Sequence, residues 1–166
     1  GHNKHELDPH NLRCSDIGNA EVFADQHEDK LRYCFELGRW FHWDGTVWTP
    51  DAEAHLDKLA EMSVMSFPGE ASELMDARTR EEFMRWAIRS GSRQRMKAMV
   101  EQSRHRLSID KEKLDHNPMI FNLFTDSVNF TTGTVSSSDP RDYSTKQTQI
   151  VFDHLADCPE WYKFLN

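Results

Sequence analysis

Short runs of strand-forming residues alternate with polar turns in the first third of the chain. The runs occupy residues 31–35, 39–43 and 46–49, and an Asp44-Gly45 pair separates the last two. Asp-Gly supplies the positive φ angles of a type I′ two-residue turn at low steric cost. The pattern therefore predicts a three-stranded antiparallel meander over about residues 31–49.

The two-residue turn also predicts how the hairpin strands pair, because loop length fixes the register. His42 then faces Val47, and Trp40 faces Thr49. Both faces are bulky, so each needs a cover from the rest of the chain or from a partner. We expect the buried face to be the one that carries Phe41, Trp43 and Trp48; the other face carries Trp40, His42 and Val47.

Helical periodicity follows the meander. Apolar residues recur every three or four positions over about residues 51–67, and Pro68-Gly69 is expected to end this helix. A second helical region, over about 79–106, begins with a capping box at Thr79. Ser90-Gly91-Ser92 interrupts this region, which predicts an αα-hairpin.

A shorter helix is predicted before the meander, from Ala20 to about Glu28, with Asp16 or Asn19 as its cap. Segment 70–78 is compatible with either a short helix or a loop.

A Thr131-Thr132-Gly133 turn flanked by strand formers predicts a second β-hairpin over about residues 120–135. We therefore predict an α+β fold, in which the small meander and the second hairpin pack with a helical bundle. Residues 1–14 are assigned to a tag remnant and leader, and residues 15–166 to a single domain. The last predicted helix carries Trp161 and stops after bulky residues, from which we infer a piece of a longer protein.

Composition restricts the cellular compartments in which the protein is expected. The chain has 166 residues, 37% apolar residues and a net charge of −8. No run approaches the roughly 18 apolar residues of a membrane span, and no N-terminal segment resembles a signal peptide. Three cysteines lie far apart without CxxC spacing, which suits a reducing compartment. We predict a cytoplasmic protein that is neither membrane-spanning nor secreted.

Positive charge is concentrated in residues 85–106, where seven basic side chains stand against Glu101 alone. Two interpretations are open. The segment is either a solvated helix face that neutralises acidic neighbours, or a contact surface for a nucleic-acid backbone or an acidic partner. The basic cluster consists of Arg85, Arg89, Arg93, Arg95, Lys97, Arg104 and Arg106.

Catalytic motifs are missing from the sequence. It has no P-loop, no GxGxxG after a strand, no GxSxG and no HExxH. The nine histidines are scattered, and His42 is expected to pack against Trp40 or Val47. Asp115-His116 lies in a polar turn and is not expected to form a site. We therefore predict no catalytic residue, no cofactor and no metal in this chain.

Several motifs occur in a characteristic order. An S-D-x-G-N-A-E segment occupies residues 15–21, and a G-R-W-x-x-W-D-G-x-x-W hairpin occupies residues 38–48. A W-x-x-x-S-x-S motif begins at Trp86, and C-P-x-W-x-x-F-L occupies residues 158–165. In this order they resemble the domain that precedes the superfamily 3 helicase in phage and plasmid primase-helicases and in the poxvirus primase-helicase. Asn129 departs from the family pattern, which has Asp before its second hairpin turn.

The resemblance implies a linker and assembly domain without catalytic residues. In such proteins a primase lies upstream, and a hexameric, ATP-dependent helicase begins just after the C-terminal motif. The expected partners are these two domains of the same phage, prophage or plasmid replication protein, with a hexamer in the full protein. The residues expected to form the structural signature are Trp40, Phe41, Trp43, Asp44, Gly45, Trp48, Trp86, Gly133 and Trp161.

The alternative is a DNA-binding role within the same replication protein. The basic helical hairpin at 85–106 would then contact single-stranded or forked DNA through phosphates.

Overall fold

The computed structural model describes residues 13–51, 53–71 and 76–157, together with Pro159 and Lys163. In this part of the chain, four helices and two three-stranded antiparallel sheets form an α+β fold, which confirms the predicted fold class. Residues 1–12 of the predicted leader, and Trp161 of the last predicted helix, lie outside the described residues.

The helices are α1 (Asp16–His27), α2 (Glu53–Ala71), α3 (Ala77–Ser90) and α4 (Arg93–Ser103). The first sheet has the order β1 (Leu31–Cys34), β2 (Arg39–Trp43) and β3 (Trp48–Pro50). The second sheet has the order β4 (Ile120–Asn122), β5 (Ser127–Asn129) and β6 (Thr134–Ser136). The meander is therefore confirmed, and the predicted second hairpin is a sheet of three strands.

The chain divides into two compact units. The first unit comprises the residues up to Trp43 together with Thr49–Lys111, and it contains the four helices. The second unit comprises Asp44–Trp48 and the residues from Glu112 onward, and it contains the second sheet. A single domain over residues 15–166 stays a prediction.

The core of the first unit is built from apolar residues at helical spacing and from the inner side of the first sheet. Phe83, Trp86 and Ala87 are buried and form the inner face of α3. Burying each large apolar side chain contributes about 1.5–3 kcal/mol. The large core members include Phe23, Leu31, Tyr33, Trp40, Phe67, Phe83 and Met99.

Trp48 anchors the second unit. Its side chain is only 1% exposed, and its ring lies 5.8 Å from that of Tyr143. Its indole Nε1–H donates to the Pro140 carbonyl at 2.8 Å, and its backbone N–H donates to the Ser144 carbonyl at 2.8 Å. The buried indole therefore keeps its polar atom satisfied, as buried tryptophans require.

The turn before β3 differs from the predicted type I′ turn. Gly45 has a φ of +109°, but Asp44 lacks the positive φ that a type I′ turn needs at both central residues. The Asp44 carboxylate instead accepts from the backbone N–H groups of Thr46 and Val47, at 2.8 and 2.9 Å. A side-chain-capped turn of this kind is a common use of Asp, and it makes the loop longer than predicted.

The longer loop also changes the predicted strand pairing. The Trp40 carbonyl accepts from the N–H of Asp51, at 2.9 Å, where the sequence predicts Trp40 opposite Thr49. The His42 ring lies beside the Thr49 hydroxyl, at 3.2 Å, where the sequence predicts Val47. Both contacts show that the pairing register of β2 and β3 is shifted by two residues from the predicted one. Because side chains alternate between the two faces, an even shift keeps each of them on its predicted face.

Helix boundaries required three corrections. Helix α2 begins at Glu53 and runs through Pro68 to Ala71, because Phe67 and Ala71 are buried in the core. Packing of the two side chains outweighs the missing backbone donor of the proline.

The other two corrections concern caps. Ser15 caps α1 by accepting from the Gly18 N–H, so that helix starts before Ala20 and encloses Asn19. Asp76 caps α3 by accepting from the Thr79 N–H at 2.8 Å. Thr79 is therefore inside the helix and is not its cap. Hydrogen bonds donated by Thr79 to the carboxylate lower the pKa of Asp76.

Candidate functional site

The basic cluster lies on α3, on α4 and in the turn after α4. Within the part of the chain that the structure describes, four of its members form ion pairs with acidic residues of the first unit. The pairs are Arg85–Glu81 at 2.9 Å, Arg95–Asp16 at 3.4 Å, Lys97–Glu53 at 3.6 Å and Arg106–Glu21 at 3.1 Å. These contacts support the interpretation as a charge-neutralising helix face, and a contact role for the cluster stays a prediction.

Three members of the cluster lie over aromatic rings of other described residues. The Arg89 guanidinium is 5.9 Å from the ring centroid of Trp86, and Arg95 is 4.2 Å from the same centroid. Arg104 is 4.8 Å from the ring centroid of Tyr33. Cation–π contacts of this kind hold the guanidinium groups against the protein.

Asn19 and Trp86 join two of the motifs that are far apart in the sequence. The buried Asn19 side chain donates from Nδ2 to the Ser90 hydroxyl at 2.9 Å and accepts at Oδ1 from the Trp86 indole N–H at 3.2 Å. Ser90 in turn donates to the Trp86 carbonyl, and Arg13 donates to Asn19 Oδ1 at 3.1 Å. The motif residues thus form a structural network with satisfied hydrogen bonds.

The aromatic hairpin residues are structural as well. Phe41 and Trp48 are buried, as predicted, whereas Trp43 is only half-buried. Trp40, on the face whose cover the sequence left open, packs in the core of the first unit. Gly133 has a φ of +69° in the turn between β5 and β6, where a side chain would be strained.

One group of side chains has the composition of a metal centre. Among the described residues, only His42, Asp51 and His55 bring one His, Cys, Asp or Glu ligand atom each within 4.8 Å of the others. We refer to these three residues as the His–Asp–His cluster. It unites the end of β2, the residue after β3 and the first turns of α2.

Sequence reasoning noticed His42 but missed its two neighbours. Asp51 and His55 are four residues apart, a spacing that places both side chains on one side of a starting helix. That spacing is the signal that could have found them. The position of His42 beside them depends on how β2 pairs with β3. The pairing register predicted from the sequence was wrong by two residues.

The second unit contains a pocket of about 310 Å³. Asp115 lies at its edge with a left-handed φ of 52°, and its carboxylate accepts from the Thr145 N–H and hydroxyl, both at 2.6 Å. The neighbouring His116 is exposed and directed to the Lys113 carbonyl. Asp115 therefore fixes a turn, and the Asp115-His116 pair does not converge on one site.

Cys14 and Cys34 are free thiols, and Cys158 lies outside the described residues. Burial raises the pKa of both described thiols. Thiols held in the protonated form are poor nucleophiles.

Comparison with known protein families identifies the family of this chain. A family model described as D5 N terminal like matches residues 20–166. The chain belongs to this family. The D5 N terminal like domain precedes the superfamily 3 helicase in primase-helicases, so the resemblance found in the sequence motifs is confirmed. No curated protein matches the chain.

Membership of the D5 N terminal like family gives the chain a biological context. It is an N-terminal domain of primase-helicase-type DNA replication proteins, and other domains of the same polypeptide are its natural neighbours. None of the helices in the described ranges is long and apolar enough to span a membrane.

Proposed function

We propose that this chain is a non-catalytic coupling and oligomerisation domain of a phage, prophage or plasmid primase-helicase. It would link an upstream primase to a hexameric superfamily 3 helicase on its C-terminal side. The observation that carries this proposal is the family match over residues 20–166, because that family occupies the position just before the helicase.

Exposed apolar side chains support an assembly role. Met65 on α2 and Ile88 on α3 are 78% and 75% exposed, on two helices that pack against each other. Met62, one turn before Met65, is 54% exposed. Large exposed apolar side chains are typical of protein contact surfaces, where burial against a partner is favourable.

The proposal is tested in the full-length primase-helicase. The double variant Met65→Gln, Ile88→Gln should weaken hexamer assembly by about tenfold, which corresponds to about 1.4 kcal/mol. Mass photometry across a concentration series measures the hexamer fraction, and DNA-stimulated ATP hydrolysis reports coupling to the helicase.

Lys58→Gln, an exposed polar change on α2, is the matched control and should leave assembly unchanged. Unchanged assembly and unchanged ATP hydrolysis in the double variant would contradict an assembly role for these helices. A parent protein without Walker A and B motifs shortly after residue 166 would overturn the whole proposal.

DNA binding through the basic cluster is the second candidate. Arg93 supports it, because this residue is exposed and forms no ion pair with the described residues. We rank it below coupling, since four other members of the cluster have acidic partners.

A further inference from the structure

We propose that the His–Asp–His cluster is a binding site for a divalent transition metal, with Zn²⁺ as the best-fitting ion. His55 Nδ1 lies 2.8 Å from Asp51 Oδ1, and His42 Nδ1 lies 3.3 Å from the same oxygen. The two imidazole rings meet edge to face, with their centroids 5.0 Å apart. Both rings therefore direct a nitrogen toward one carboxylate.

The donor set fits zinc better than calcium or magnesium. Two imidazole nitrogens and one carboxylate oxygen are ligands that Zn²⁺ and its neighbours in the first transition row accept, whereas Ca²⁺ and Mg²⁺ prefer oxygen alone. A tetrahedral Zn²⁺ with bonds of about 2.0–2.1 Å separates its ligand atoms by about 3.3–3.4 Å. The observed spacing of the three ligand atoms, all within 4.8 Å of one another, needs only small side-chain movements to reach that geometry.

Burial gives the carboxylate a reason to attract a cation. The Asp51 side chain is only 1% exposed, while the His42 and His55 side chains are 29% and 40% exposed. A carboxylate removed from water is stabilised by a nearby positive charge. The partly exposed imidazoles leave a route from solvent to the carboxylate, which a metal site requires.

A hydroxyl group lies beside one of the two imidazoles. The Thr49 hydroxyl lies 3.2 Å from His42 Nε2 and 3.4 Å from His42 Nδ1. If His42 Nδ1 binds a metal, Nε2 carries the proton and can donate a hydrogen bond to the hydroxyl oxygen. Partners of this kind fix the orientation of a ligating histidine.

The three ligands come from separate elements of the first unit, so a bound ion would tie the first hairpin to the start of α2. The cluster offers three protein ligands, which leaves the fourth position for water. The inference is independent of the proposed coupling function, because it concerns binding and stability of this chain alone.

The test uses the complete chain and Zn²⁺ alone. Because His2, His5 and His10 near the N-terminus could bind metal themselves, all three are changed to Gln in the reference protein. Calorimetric titration should show one Zn²⁺ per chain, and the midpoint of thermal unfolding should rise with Zn²⁺ concentration. Co²⁺ in place of Zn²⁺ should give the visible absorption bands of a low-coordinate nitrogen and oxygen site.

In this background, His55→Gln should weaken Zn²⁺ binding by at least about tenfold and remove the Co²⁺ bands. His105→Gln, an exposed histidine on the turn after α4, is the matched control and should bind like the reference. His55→Gln is preferred to a change at the buried Asp51, since a partly exposed side chain can be replaced without disturbing the core.

Two results would overturn the proposal. One is loss of stoichiometric binding when the N-terminal histidines are replaced. The other is equal Zn²⁺ affinity in His55→Gln and His105→Gln, which would mean that the cluster is a hydrogen-bonded triad only.

Discussion

At the scale of single residues, Asn19 links α1 to α3 through side-chain hydrogen bonds. Its amide satisfies Ser90 and Trp86 across a sequence separation of about seventy residues. We expect Asn19→Ala to destabilise the chain by about 2–4 kcal/mol, because it leaves the buried Trp86 indole N–H without its acceptor, removes one of the two hydrogen bonds of Ser90 and creates a small cavity. Urea unfolding followed by tryptophan fluorescence measures the change.

Gln102→Ala, an exposed change on α4, is the control and should stay within about 0.5 kcal/mol of the parent. Equal stability of the two variants would mean that the Asn19 network contributes nothing net.

His27 gives the chain a pH dependence at the residue scale. Burial lowers its pKa, and its Nε2 lies 3.1 Å from the Ser63 hydroxyl. The unfolded chain then binds a proton more readily than the folded chain, with a pKa near the ordinary value of about 6.5. The contribution of His27 is therefore fully present above that pH, and the free energy of unfolding falls as the pH drops below it.

Urea unfolding at a series of pH values from about 7.5 to 5 measures this fall. His27→Gln should flatten it, while the exposed His105→Gln should leave the parent slope in place. The same slope in His27→Gln as in the parent would assign the pH dependence to other groups.

At the scale of elements, two glycines should respond in opposite ways to the same substitution. Gly38 has a φ of +61° in the turn before β2, so Gly38→Ala should destabilise the chain by about 1 kcal/mol or more. Gly69 lies inside α2 with an ordinary φ and open space around its Cα, so Gly69→Ala should stabilise the chain by up to about 1 kcal/mol. Thermal unfolding of both variants is the measurement, and changes of the same sign would contradict the account.

The elements that the sequence predicted correctly are those with local signals. Strand formers and the turn glycines indicated the meander, and the apolar stripe with Ser90-Gly91-Ser92 indicated the helical hairpin. The errors arose where distant contacts or side-chain caps decide. Helix α2 passes Pro68 because Ala71 is buried, and the hairpin pairs two residues away because Asp44 caps its own turn.

The candidate sites divide in the same way. The basic cluster was visible in the sequence because charge is a property of composition, but its acidic partners on α1 and α2 were not. The His–Asp–His cluster was missed because His42 reaches Asp51 only through tertiary structure. The local periodicity of the sequence carries no information about tertiary contacts of this kind.

Electrostatics acts at the scale of the whole molecule. The net charge of −8 disfavours nucleic-acid binding, and the ion pairs of the basic cluster reduce its local positive field. A protein with free phosphate-contacting groups binds DNA nonspecifically with a Kd of about 10⁻⁴–10⁻⁶ M at physiological salt. We expect this chain to bind more weakly than that range.

If acidic partners weaken DNA binding by neutralising the basic cluster, removal of one such partner should strengthen the binding. Glu53→Gln removes the carboxylate that lies 3.6 Å from Lys97, and we expect an increase of about twofold to fivefold in affinity for a single-stranded oligonucleotide at low salt. Each additional phosphate neutralised by the protein should steepen the dependence of log K on log salt by about 0.7. Fluorescence anisotropy over a salt series measures both quantities.

Glu112→Gln is the matched control for this release, because it removes the same charge from an exposed position in the second unit. If masking of Lys97 limits binding, only Glu53→Gln should raise the affinity, since Glu112 is not its ion-pair partner. Equal increases in the two variants would show that total charge governs binding. Tight binding by the unmodified chain, lost in Arg93→Glu, would instead favour the DNA-binding function over coupling.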